Sequence, residues 1–159
     1  MDSSRERRLI MAGLAFAAGS AIHLIDHLRR GQGSVSDVLY AVGNVSLVVQ
    51  VATISLVLTR HRLAPVAAVS AGFSLALGFT AAHWLPRWSS VSDPVWEIHS
   101  LTWFSYIASI AEILGALAVA TTGLAVIRAG NRDRPFVQDQ SRVHVDNDQS
   151  SSPVRVGRS

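Results

Sequence analysis

The sequence predicts an all-α fold, an integral membrane four-helix bundle followed by a disordered C-terminal tail, and three observations predict it. Apolar residues make up 49% of the chain, mean hydropathy is +0.31, and these residues are gathered in blocks rather than spread at a regular period. Four blocks reach membrane-spanning length. Arginines mark the block ends, unevenly between the two sides.

The blocks cover residues 9–28, 38–59, 63–85 and 101–127, which is 20, 22, 23 and 27 residues. At a rise of about 1.5 Å per residue each extends about 30 to 40 Å, enough for a hydrocarbon core of about 30 Å. Runs this long and continuous cross as helices, because a helix satisfies its own backbone. A soluble bundle is the competing reading, but buried soluble helices seldom need four consecutive runs of this length.

The first span opens after Arg5, Arg7 and Arg8, a pattern shared with signal peptides. Its apolar character continues through Ile22, Leu24, Ile25 and Leu28, where a mature secreted N-terminus turns polar, so the expectation is a retained span. Its outer end carries His23, Asp26 and His27. His23 and His27 are four apart and share a helix face, with Ser20 extending that stripe inward.

The second span follows Ser34-Val35-Ser36-Asp37 and carries Tyr40, Asn44 and Gln50. Arg60 and Arg62 separate it from the third, which ends at His83. The next connection repeats the earlier tetrad as Ser90-Val91-Ser92-Asp93, 56 residues on, and the same offset aligns His27 with His83. This points to a duplicated two-span hairpin. Ser and Asp before an apolar run are expected helix caps, with Pro94 as the first residue of helix four. That helix then carries Glu97 and His99 at its outer end, and a polar stripe of Thr102, Ser105, Ser109 and Glu112 leads toward mid-span. Gly13, Gly43, Gly72, Gly78 and Gly115 are expected to let helices approach closely.

Eight arginines (Arg5, Arg7, Arg8, Arg60, Arg62, Arg128, Arg132, Arg134) fall on one side, against Arg29, Arg30 and Arg87 on the other. The positive-inside rule then expects a multi-pass protein of the plasma membrane with both termini cytoplasmic and the histidine-rich end extracytoplasmic. Residues 1–128 form the expected transmembrane domain and 129–159, polar and mixed in charge, the expected cytoplasmic tail. His144 belongs to that tail.

Cysteine is absent, which excludes disulfides, thiolate ligands and iron–sulfur clusters. No Gly-rich phosphate loop or Gly-x-Ser-x-Gly elbow occurs. All 14 basic side chains are Arg, set at span ends rather than on one basic face, so nucleic acid is not an expected partner. The expected partners are the lipid bilayer and either further copies of the chain or a larger membrane complex.

His23, Asp26, His27, His83 and His99 are the candidate metal ligands, with Asp26 as ligand or orienting group. Nitrogen and oxygen donors suit a divalent transition metal such as Zn, Cu or Fe, and paired histidines in a bundle also suit haem. Histidines at the headgroup level, like Trp84, Trp88, Trp96 and Trp103, have interfacial anchoring as the competing role. Glu112, Asn44, Ser105 and Ser109 form a candidate buried polar path. Two alternatives follow: a proton-linked transporter or channel subunit using Glu112 and the outer histidines, and a non-catalytic partner subunit of a membrane complex.

Overall fold

The computed structural model describes residues 3–31, 35–97 and 102–132. Among these the fold is all-helical: α1 (Ser3–Arg30), α2 (Asp37–Leu58), α3 (Ala64–His83) and α4 (Trp103–Arg132), with a 3-10 turn at Val95–Glu97. All four helices are long and apolar enough to cross a bilayer. At 28 and 30 residues, α1 and α4 extend about 42 and 45 Å, beyond the hydrocarbon thickness. Residues 1–127 make one compact unit; of the second, 128–159, the described part is the end of α4, and the rest of the expected tail lies outside the described residues.

Local chemistry sets the helix ends. Gly31, at φ 83°, supplies the left-handed residue after α1 and donates to the His27 carbonyl. Ser36 is the N-cap of α2, its hydroxyl accepting from the Leu39 amide at 3.2 Å. Asp37 is therefore the first helical residue rather than the cap, where its charge faces the helix dipole favourably. The end of α2 is a Schellman turn, with the His61 amide on the Leu56 carbonyl and the Arg60 amide on that of Val57.

The sequence expectation for helix four needs correction. Pro94 does not open it; the chain makes the short 3-10 turn and α4 starts at Trp103. Asp93 is not a cap either. Its amide donates to the Ala82 carbonyl at 2.8 Å and its carboxylate faces Arg30, so residues 84–93 fold back over the end of α3. The two tetrads touch through Ser36 Oγ, which donates to the Ser90 carbonyl at 2.7 Å.

Close helix contacts depend on glycine. A Cβ on Gly19 would lie 2.6 Å from the Ala111 carbonyl oxygen, and one on Gly115 2.8 Å from the Phe16 Cα, so α1 and α4 meet backbone to backbone. Gly72 and Gly123 play the same part between α3 and α4, and Gly13 meets Val57 of α2. Gly43 and Gly78 face open space, contrary to the packing expected of them.

The buried face of α1 changes character along its length. Leu9, Ala12 and Phe16 lead into Ser20, His23 and Asp26. Helix α4 mirrors this, passing from Val126, Val119 and Ala116 to Glu112, Ser109 and Ser105. The bundle thus has an apolar core at its arginine-rich end and a polar interior at the other. Outside, Leu14, Leu28, Val45, Val48, Leu77 and Leu114 are exposed, the surface of a protein whose solvent is lipid.

Candidate metal centre

Three histidines meet at the polar end. His23 and His27 come from one face of α1 and His83 from the last residue of α3. One ring nitrogen from each lies within 4.8 Å of the others. The rings touch directly: centroids are 4.6 Å apart for His23 and His27, 5.2 Å for His23 and His83, and 6.2 Å for His27 and His83.

Each imidazole is held by a different group. His83 Nδ1 lies 3.0 Å from the Asp93 carbonyl oxygen, which can only accept, so Nδ1 carries the hydrogen and Nε2 keeps its lone pair. His27 Nδ1 lies 3.2 Å from Arg30 Nη2. A guanidinium can only donate, so this Nδ1 accepts and the neutral ring carries its hydrogen on Nε2. That nitrogen is 2.9 Å from His23 Nε2, which must then be the acceptor. The His23 hydrogen is left on Nδ1, 3.4 Å from Glu112 Oε2. The His23–Glu112 contact is longer than a good hydrogen bond, and neither atom has another partner among the described residues.

Glu112 on α4 and Gln50 on α2 are both almost wholly buried. Ser20 Oγ and Gln50 Oε1 are further buried oxygens without a partner among the described residues. Unmatched polar atoms are expensive in a membrane interior, so their presence around His23 marks a place suited to a polar guest.

Beside the trio stands an ion-pair network that the sequence reading did not anticipate. The Arg30 side chain is 2% exposed, with Nε 3.1 Å from Asp26 Oδ2 and Nη1 3.3 Å from Asp93 Oδ2. Arg29 Nη2 lies 2.9 Å from Asp26 Oδ1, which also accepts from Ser105 Oγ at 2.9 Å. Both oxygens of Asp26 are thus engaged by Arg29, Arg30 and Ser105. The signal was in the sequence, since Arg30 is four residues after Asp26 on a helix, a favourable pairing distance. Arg87 pairs with Glu97 at 2.7 Å, so each arginine of the minority side has a carboxylate partner.

The remaining candidates divide. Ser109 is buried near Glu112 on α4 and donates to the Tyr106 carbonyl. Asn44 is exposed on α2 and donates to the Tyr40 carbonyl of its own helix, so the structure does not bring it to Glu112. His99 lies outside the described residues. Trp88, Trp96 and Trp103 are exposed at this same end, at the positions of an interfacial belt.

Comparison with protein-family models, with curated proteins and with solved structures finds no match.

Proposed function

We propose that this four-helix membrane protein binds a divalent transition metal ion through His23, His27 and His83, with Asp26 and Glu112 as orienting carboxylates. The observation that carries this reading is the convergence of three ring nitrogens, from two helices, within 4.8 Å. Zinc–nitrogen bonds of about 2.0 to 2.1 Å call for donors somewhat closer than that, an adjustment within reach of side-chain rotation.

The surroundings fit a bound cation. Metal-binding imidazoles are commonly oriented through their second nitrogen by a carbonyl or carboxylate, the positions Asp93 O and Glu112 occupy at His83 and His23. Asp26, Asp93 and Glu112 supply three carboxylates against Arg29 and Arg30. Rings in direct contact leave no slot for a porphyrin plane, which favours a bare ion over haem. Binding replaces the His27–His23 hydrogen bond and requires Arg30 to release His27 Nδ1, while Asp26 and Asp93 retain the guanidinium. With the arginine-poor end outward, the centre faces the extracytoplasmic side.

The test is titration of metal-free, detergent-purified protein with Zn, Cu(II) and Fe(II), followed through the histidine ring NMR signals. Saturable shifts of His23, His27 and His83 are expected. Shifts confined to other histidines, or none, would exclude the reading.

A second reading rests on the His23–Glu112 contact, which links the outer histidines to a mid-span carboxylate. Arg30, His27, His23 and Glu112 then form one polar chain, the arrangement a proton-linked transporter needs. Proton flux in liposomes that Glu112→Gln abolishes supports it; flux unchanged by that substitution removes it.

A further inference from the structure

At the opposite end of the bundle, the Schellman turn after α2 needs a left-handed residue, the usual place of glycine. Here Arg60 takes it at φ 56°. A long cationic side chain kept in a strained backbone conformation is a pointer to function. Its Nε pairs with Glu6 Oε1 at 2.8 Å, leaving the two Nη groups as donors.

This turn, the first turns of α1 and the start of α3 border an open cavity of about 250 Å³. Its lining combines the apolar Leu9, Ile10 and Val57 with Arg60, His61, Arg62 and the Glu6 carboxylate. His61 adds a directed donor, because its Nδ1 accepts from the Leu63 amide at 3.2 Å and its hydrogen is therefore on Nε2. With α2 ending at Leu58 and α3 starting at Ala64, the cavity lies at the level of lipid headgroups.

We propose that this cavity binds an anionic phospholipid, its phosphate held by Arg60, His61 and Arg62 and the start of its acyl chain lying against Leu9, Ile10 and Val57. A free phosphate ion shares the headgroup chemistry but has no use for the apolar wall. Basic pockets between membrane helices bind acidic headgroups by this combination. Glu6 neutralises part of the charge, so Arg62 carries the excess.

The experiment uses the full chain in nanodiscs of phosphatidylcholine with or without phosphatidylglycerol, with native mass spectrometry to count retained lipid. Retention of phosphatidylglycerol over phosphatidylcholine is expected, undisturbed by inorganic phosphate. Arg62→Gln, which leaves the Glu6–Arg60 pair in place, should weaken retention about fivefold, the effect of one basic side chain near an anionic lipid. Arg60→Gln should do at least as much, while the control Arg7→Gln/Arg8→Gln should retain the lipid. Equal retention of both lipids, displacement by inorganic phosphate, or equal loss in the control would each overturn the proposal.

Discussion

Arg30 Nη2 lies 3.2 Å from His27 Nδ1, and this one contact sets the direction of every hydrogen bond inward from it. Because a guanidinium cannot accept, His27 donates to His23 and His23 points its remaining N–H at Glu112. An arginine at a helix end thereby determines which nitrogens of His27 and His23 carry hydrogen before any ion binds.

Arg30 is also buried and paired with two carboxylates, Asp26 and Asp93. Replacing it with Met leaves the buried Asp93 without this counter-charge and Asp26 with Arg29 alone, and loss of one partner of a buried pair costs about 3 to 5 kcal/mol. Arg30→Met should therefore unfold far more readily in a detergent–denaturant titration. Asp26→Asn/Arg30→Met/Asp93→Asn should recover much of the loss. A triple variant no more stable than the single one would show that the network does not act as a unit.

Glu112 separates orientation from proton carriage. If its carboxylate orients His23, Glu112→Gln should weaken metal affinity about 10- to 100-fold, the usual effect of removing such a partner, without abolishing binding. Isothermal titration reads this directly. Affinity unchanged in the variant would remove Glu112 from the metal centre.

The glycine contacts predict a contrast among substitutions of one chemical type. Gly19→Leu and Gly115→Leu push a side chain into a facing backbone and should cost at least the 1 to 3 kcal/mol typical of overpacking. Gly43→Leu and Gly78→Leu meet open space and should be tolerated. Thermal unfolding of the four variants in the same detergent checks the division.

Much of this architecture is legible in the sequence because span length and hydropathy are properties of single segments. The i, i+4 spacing of His23 and His27 likewise fixes their common face before any tertiary fact is known. Pairing His83 with them is a tertiary event, hinted at by a topology that puts the end of the third span at the same level and by the 56-residue offset. Asp93 shows the limit of local rules: its neighbours Ser92 and Pro94 have a capping pattern, yet the folded-back connection draws its carboxylate to Arg30. Gly43 and Gly78 mislead for a similar reason, since a small residue records where close approach is permitted and not where it occurs. Gly19 does make such an approach, against the α4 backbone at Ala111.

The central claim is that His23, His27 and His83 act together on one ion. Elemental analysis of detergent-purified protein beside the His23→Ala/His27→Ala variant, both dialysed against the same trace-metal buffer, tests it most directly. The account predicts a single transition-metal ion per wild-type chain and none in the variant. No bound metal in the wild type, or equal metal in both proteins, would contradict it.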